Sequence, residues 1–533
     1  MKVPKIQIPK IPKEQNTLII SQLLEVIEQQ SVIIQLQGEE IQKLKDEIAR
    51  LKGQKPKPKI RPSKLEKDPK GQKKKDSSGK RPGSNKRSKT PDLIIHKEIT
   101  VPPGSIPANS IFKGYQPYTV QGIKIEPYNI RYLMERWQTP DGNYIVGQLP
   151  PGVQGHFSPE LKRFILYQYH HCHVTEPRLL EQLWQWAVDI SSGQLNRILT
   201  KGKDIFHNEK DAILSVGLKV SDYINVDDTG ARHDGKNGYC THIGNELFAW
   251  FQSTDSKSRT NFLELLRAGQ MDYVINEDAL EYMDNQRLAK SILHLLEDHC
   301  KKQFADLCEW ETHLQELQII NHRHVKIATE GALLGSVLHH GLPKSLVILS
   351  DDAGQFNILN HALCWIHAER SINKLIAPSE EKRKILEEVR KQIWGFYKDL
   401  KAYKISPDET KKTQLEDRFD DIFTQKTDYQ MLNLALGRLY NNKSELLLVL
   451  DRPEIPLHNN LSENDIREYV KRRKVSGSTR SELGRQCRDT FTSLKKTCCK
   501  LGVSFWDYLL DRLFKNYTIP PLQDLILQQA NGP

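Results

Sequence analysis

Two short apolar runs, each closing on a pair of acids, set the tightest limit on how this chain can fold. Tyr223-Ile-Asn-Val-Asp-Asp-Thr-Gly-Ala-Arg232 is largely β-branched up to Asp227 and Asp228, and Leu346-Val-Ile-Leu-Ser-Asp-Asp-Ala-Gly354 is apolar up to Asp351 and Asp352. Runs of this kind bounded by turn formers read as buried strands, so the first predicts a strand of about five residues followed by a turn at Gly230. If the two strands are neighbours, their carboxylates meet at one edge of a sheet, where open α/β sheets place their sites. Clustered carboxylates there suit metal ions.

At 533 residues the chain exceeds one ordinary domain, and three to five modules are expected. No apolar run approaches the roughly 18 residues of a membrane span, and Met1-Lys-Val-Pro-Lys-Ile-Gln7 has no signal-peptide hydrophobic region. The expectation is a cytoplasmic protein with no membrane partner. Eight scattered cysteines support neither a disulfide framework nor a standard zinc ribbon. Charge is more informative by location than by sum. Residues 52–90 hold sixteen Lys and Arg against Glu66, Asp68 and Asp76, a local +13, which leaves −2 of the net +11 for the rest of the chain. Lys73, Lys74 and Lys75 lie in this Pro-, Gly- and Ser-rich stretch, read as a disordered basic arm (54–92) suited to phosphate backbones.

Before the arm, Ile20, Ile27, Ile34, Ile41 and Ile48 recur every seven residues, with Leu23, Leu44 and Leu51 at three intervening positions. This predicts a coiled-coil dimerisation helix over 1–53, its β-branched seam favouring two strands. Residues 93–150 read as a small strand-rich module, with strands expected at Ile94-Ile95, Tyr118–Val120, Ile123–Ile125 and Tyr144–Val146. Apolar spacing turns helical over 151–215. There Ser191-Ser-Gly193 opens a helix carrying Gln194, Asn196 and Arg197, compatible with a helix-turn-helix DNA-binding module and equally with a plain bundle. His170-His-Cys-His173 has metal-like composition, but adjacent helical residues point apart and one ion cannot collect all four.

From 216 the order is three strands, a helix and the Leu346 strand, with a charged helical stretch at 271–340 read as an insertion. A helix is expected over Phe356–Ile376, placing His361, Cys364 and His367 near one face; a packing helix bearing a functional His367 near the acids fits better than a zinc site. Residues 380–450 read as spacer or bundle. Asn460 is expected to cap a helix on which Glu463 and Arg467 pair at i, i+4, followed by a basic track through Lys471, Arg472, Arg473, Lys474, Arg480, Arg485 and Arg488.

Val226-Asp-Asp-Thr229, Leu349-Ser-Asp-Asp-Ala-Gly-Gln-Phe356 with Cys364-Trp-Ile-His-Ala-Glu-Arg370, Asn459-Asn-Leu-Ser-Glu-Asn-Asp-Ile-Arg467, and the tail from Gly484-Arg-Gln-Cys-Arg488 to Gly502-Val-Ser-Phe-Trp-Asp-Tyr-Leu509 together resemble the successive signatures of the transposases of IS66-type insertion sequences. The resemblance implies an α/β ribonuclease-H-like DDE catalytic domain (216–475) and a C-terminal helical segment (476–533). It implies a catalytic and metal-binding triad of Asp227, Asp351 and Glu463, with Asp228, Asp352 and His367 as accessory candidates. Two Mg²⁺ ions, replaceable by Mn²⁺, are the implied cofactors, and zinc is not expected. Partners would be DNA (element ends and target), a second copy of the chain and accessory proteins of the same element, placing the protein at the nucleoid. Water would free a 3′-hydroxyl at an element end, and that hydroxyl would attack target DNA. Arg467 and Lys471 to Lys474, with Arg197 and Lys73 to Lys75, would hold the DNA.

The sequence departs from the family pattern where Ile106–Trp137 lacks the cysteines of a zinc-binding segment, and where Asp228 and Asp352 stand in place of Glu and Gly. The first acid of each pair is preferred, and strand alternation, which points neighbours to opposite faces, leaves only one acid per pair to serve the metals. Competing readings are a catalytically inactive, transposase-derived DNA-binding protein and a two-carboxylate glycosidase. The second wants a sugar-stacking cleft rather than a basic arm.

Overall fold

The chain is described by a computed structural model over residues 94–150, 155–377 and 379–532. The expected coiled coil (1–53) and basic arm (54–92), with Lys73, Lys74 and Lys75, lie outside the described residues. Contacts separate one unit, Met1–Gly122, from a second, Ile123–Pro533. In the first, residues 94–122 form no helix or strand. Of the four strands expected over 93–150, only Tyr144–Val146 is one: as β2 it pairs antiparallel with β1 (Arg136–Gln138) around the turn at Pro140–Gly142. The other runs have strand composition without a strand's surroundings. Ile94, Tyr118 and Ile123 are each more than three-quarters exposed, and strand preference is a preference for packing on a half-buried pleated surface.

Helices then follow as expected. Ser158 caps α1 (Pro159–Leu166), which runs into a π-helical turn at Tyr167–His171; α2 (Glu176–Gln185), α3 (Ser192–Thr200) and α4 (Asp204–Val220) come next. The Ser191 hydroxyl accepts from the Gln194 N–H at 3.2 Å, and the Gln194 side chain accepts from the Ser191 N–H at 3.3 Å, a capping box that fixes where α3 begins.

The sheet is built from β3 (Tyr223–Gly230), β4 (Tyr239–Gly244) and β5 (Ala249–Thr254), then β8 (Val347–Ser350) and β9 (Asn360–Leu363), in the order β5-β4-β3-β8-β9. The first three are antiparallel; β3, β8 and β9 run parallel. Between β5 and β8 come α5 (Arg259–Leu266), α6 (Glu277–Asn285), α7 (Lys290–Asp298), α8 (Leu307–Glu316) and α9 (His322–His339), with a two-stranded ribbon of β6 (Tyr273–Val274) and β7 (Gln303–Phe304). The two ends of this insertion are tied where the Asp272 carboxylate meets His340 at 2.9 Å and accepts from the Ser336 hydroxyl at 2.7 Å.

After β9, α10 (Trp365–Asn373) leads to α11 (Glu380–Ile405), α12 (Glu409–Thr424), α13 (Gln430–Asn441) and α14 (Lys443–Asp451), a bundle with its own core around Trp365, Phe396, Phe419 and Leu436. The chain returns to the sheet through α15 (Asn460–Ser476), α16 (Glu482–Lys500), α17 (Phe505–Phe514) and α18 (Leu522–Ala530).

The expected divisions at 215/216 and 475/476 are not boundaries between cores. One hydrophobic core runs from Ile165 through Leu214, Ile224, Leu333 and Phe491 to Ile526, because α4 and α16 both lie on the sheet and α17 and α18 pack back on α1 and α4. The expected helix over Phe356–Ile376 is likewise a turn, strand β9 and only then α10, so His361 sits on a strand and Cys364 precedes the helix.

α16 covers the sheet's edge in a way that dictates its own sequence. The Asp489 carboxylate accepts from Ser253 N–H (2.7 Å), the Ser493 hydroxyl from Phe251 N–H (2.9 Å) and the Thr497 hydroxyl from Ala249 N–H (3.2 Å). Four helical residues rise about 6 Å and two strand residues about 6.6 Å, so a polar residue at every fourth helical position meets every second strand amide. The edge strand is thereby closed to further pairing.

Candidate active site

The acids are gathered by register. β3 pairs with β8 through Tyr223↔Val347, Ile224↔Ile348 and Asn225↔Leu349, and the same offset carried forward sets Asp227 beside Asp351. β3 ends at Gly230, where the turn is expected, but runs eight residues rather than about five. β4 pairs with it as far as Gly230↔Tyr239, so Asp227 and Asp228 lie within a strand whose parallel neighbour has already ended. That leaves a notch beside Asp227 where Asp351 leaves the sheet.

Alternation then separates the two acids of the first pair. Asn225 faces α15: its side-chain amide donates to Asn459 Oδ1 at 2.8 Å, and Asn459 Nδ2 donates to the Val226 carbonyl at 2.7 Å. Asp227, two residues on, shares that face. Asn459, rather than the expected Asn460, is the N-cap of α15; its buried side chain grips β3, and its N–H meets Cys364 Sγ at 3.2 Å. This clamp aims the first turn of α15, with Glu463, at the same notch.

Burial pushes the Asp227 carboxyl up to about 7, and the neighbouring charges of Asp351 and Glu463 push the same way. Asp351 Oδ1 is buried with no hydrogen-bond partner. Asp228 is differently engaged: Thr241 Oγ1 donates to one oxygen at 2.5 Å and Gln355 Nε2 to the other at 3.0 Å, bonds that offset the upward push of burial on its carboxyl. Asp352 stands outside the notch, 62% exposed and 3.6 Å from Arg438. Glu463 lies against two arginines, Arg370 at 3.1 Å and Arg467 at 3.6 Å, and against the imidazole of His367, whose Nε2 is 3.7 Å away. Burial lowers the His367 pKa and Arg370 lowers it further, against the pull of Glu463.

Among the described residues no three His, Cys, Asp or Glu side chains stand close enough to form a ready-made metal cage. The donors that fit one are nonetheless present: two adjacent carboxylates, one with an orphaned oxygen, and a third paired with Arg370. All are oxygen donors, the set that Mg²⁺ and Mn²⁺ take. The other metal-like motifs resolve otherwise. His170 is buried against Phe491 with ring centroids 4.1 Å apart, and His173 pairs with Glu468 at 2.8 Å. His361 bonds Ser350 at 2.7 Å and Glu445 at 2.9 Å, inside the fold.

The residues expected to hold DNA divide by burial. Arg467, Lys471, Lys474 and Arg197 are exposed. Arg472 is a correction: it is 4% exposed, lies 3.8 Å over the Tyr169 ring and donates to the Tyr169 carbonyl at 2.8 Å, so it belongs to the core. Arg488 is also buried, closing the end of α15 through the Gly477 carbonyl and the Ser476 hydroxyl. Arg473 is half-buried and donates to the Gly230 carbonyl at the end of β3. Sequence reasoning missed Asn225, Asn459, Gln355 and Arg370. Arg370 had a signal, three residues past His367 within the motif already singled out, but no spacing rule points it at a residue 93 positions away.

A family model described as "Transposase IS66 family" matches residues 341–487, a span that holds Asp351, His367, Arg370 and Glu463 and leaves Asp227 outside it. The chain is also 44% identical over 321 residues to "Uncharacterized protein y4jO" of Sinorhizobium fredii (strain NBRC 101917 / NGR234), covering 60% of this chain and all of that relative.

Proposed function

This chain belongs to the transposase IS66 family, and on that premise we propose that it is an active DNA transposase whose catalytic acids are Asp227, Asp351 and Glu463. The observation that carries the reading is that Asp227 lies beside Asp351 in the β3–β8 register, its carboxyl pKa raised first by burial and further by the charges of Asp351 and Glu463. The strand order β5-β4-β3-β8-β9, with β3 antiparallel to β4 and parallel to β8, supports a ribonuclease-H-like core.

Bound Mg²⁺ would supply activation of the attacking oxygen and charge stabilisation of the leaving one. The chain's own residues do the rest. Asp227, Asp351 and Glu463 would hold the ions, and the Asn225–Asn459 clamp keeps α15 against β3. Arg467, Lys471 and Lys474, exposed along α15, bind backbone phosphates. In the first step water adds to phosphorus and the P–O3′ bond breaks; the attacking water gives up a proton, the departing 3′ oxygen takes one up, and the products are a 3′-hydroxyl and a 5′-phosphate. In the second, that 3′-hydroxyl adds to a target phosphorus and displaces another 3′ oxygen.

Mg²⁺-dependent cleavage and joining of DNA carrying the element's own ends tests the proposal. Asp227→Ala, Asp351→Ala and Glu463→Ala are each expected to lose on the order of 10²–10³-fold or more in rate while still binding DNA. Asp352→Ala, exposed and outside the notch, is expected to match the parent. A parent inert with every accessory protein supplied would overturn the reading in favour of a non-catalytic DNA-binding protein.

A further inference from the structure

Arg370 sits where a simple DDE centre has no need of it. Its Nη1 lies 3.1 Å from Glu463 Oε1 and 3.2 Å from His367 Nε2, and it reaches both from the side of α10, in the helical bundle rather than the sheet. The contact with His367 orients it: a guanidinium can only donate, so Nε2 accepts and the ring's proton sits on Nδ1. That Nδ1 is buried with no protein partner.

Glu463 is therefore occupied. Its carboxylate is only 16% exposed and faces Arg370, His367 and the more distant Arg467, while Asp351, across the notch, keeps a buried oxygen without a donor. Three carboxylates and one guanidinium share the notch, and a divalent cation drawn to the acids meets a positive charge already seated on one of them.

We propose that Arg370 is a positioning residue that competes with the divalent cation for Glu463, and that once displaced it takes the scissile phosphodiester, with His367 as the pivot that keeps it beside the notch. The chemistry favours the exchange. A guanidinium binds carboxylate and phosphate through the same donor fork, so a phosphate brought to the acids offers Arg370 an anionic partner as Glu463 turns to the metal. The metal-free arrangement thus keeps Glu463 held by Arg370 near the end of β3. The inference rests on the triad assigned above.

The test is Mn²⁺ binding by titration calorimetry on the full chain without DNA, in the parent, Arg370→Gln and Arg370→Lys, together with strand cleavage on end-containing DNA. Removing the competing charge is expected to tighten Mn²⁺ binding by about tenfold in Arg370→Gln while cleavage falls. Arg370→Lys, which keeps the charge without the fork, is expected to bind Mn²⁺ close to the parent and to recover part of the cleavage. A residue that merely supported the fold would weaken metal binding and cleavage together. Mn²⁺ affinity unchanged or weaker in Arg370→Gln overturns the inference and leaves the triad standing. Absence of Mn²⁺ binding in both the parent and Arg370→Gln overturns the triad as well.

Discussion

At the scale of single residues, Asp227 and Arg472 show how burial decides what a charged side chain does. Between an ordinary carboxyl value of 3.8 and the value near 7 it has in the notch, Asp227 keeps a proton in the folded chain that the unfolded chain has released. Its contribution to stability is fully present below about pH 4 and lost as pH rises through 7. In metal-free protein, Asp227→Asn is expected to exceed the parent's stability by about 4 kcal/mol at pH 8 and to show no advantage near pH 4, read by thermal unfolding in chelator. A parent-like Tm at pH 8 would show that burial and the neighbouring acids do not raise the Asp227 pKa. Arg472 and Lys474 are two positions apart in one basic run and are expected to behave oppositely. Arg472→Ala strips donors from the carbonyls of Tyr169 and Val174 and should cost about 2–3 kcal/mol in denaturant unfolding. Lys474→Ala should leave stability unchanged and reduce the slope of log affinity for DNA against log salt by about 0.9.

At the scale of elements, two junctions carry the site. α16 seals the edge strand β5 with Asp489, Ser493 and Thr497; Ser493→Ala removes the acceptor of a buried amide and should cost about 1–2 kcal/mol. Hydrogen exchange at the Phe251 amide reads this directly, and protection equal to the parent would mean that α16 does not hold the strand. The second junction joins the insertion to the loop after β8. Glu330 on α9 accepts from the Tyr282 hydroxyl at 2.8 Å; Arg259 donates to that hydroxyl at 3.1 Å and to the Gly354 carbonyl at 2.6 Å. Gln355, the next residue, donates to Asp228. The insertion thus props the loop that carries Asp351, and Arg259→Ala is expected to lower strand cleavage by about 10–100-fold with DNA affinity unchanged.

At the scale of the whole molecule, one core links segments that sequence reading kept apart. Glu209 on α4 receives Arg512 of α17 through Nε at 2.8 Å and Nη2 at 2.9 Å, together with the Tyr508 hydroxyl at 2.9 Å and the Leu522 N–H at 2.9 Å. Both charged side chains are buried, so breaking the pair leaves an uncompensated charge. Glu209→Ala is expected to cost about 3–5 kcal/mol and to free the C-terminal helices, seen as a lower midpoint in denaturant unfolding and proteolysis after Lys500. Unchanged stability would mean that these helices are an appendage rather than part of the core. Among the described residues no helix is long and apolar enough to cross a membrane.

The sequence by itself determined the local elements around the site and the residue types in it. Apolar runs of strand length made β3 and β8, helical spacing made α1 to α4, and acids at the ends of β-branched runs marked Asp227 and Asp351, because each of those signals lies within a few consecutive residues. Only the tertiary structure decided which acid of each pair faces the notch, that Glu463 arrives already paired with Arg370, that Arg472 and Arg488 are core residues, and that the residues on either side of 215 and 475 share one interior. Those outcomes depend on strand register, on the clamp between Asn225 and Asn459, and on a helix nearly 240 residues away matching the amide spacing of β5. They are pairings between distant parts of the chain, and periodicity along the chain carries no record of them.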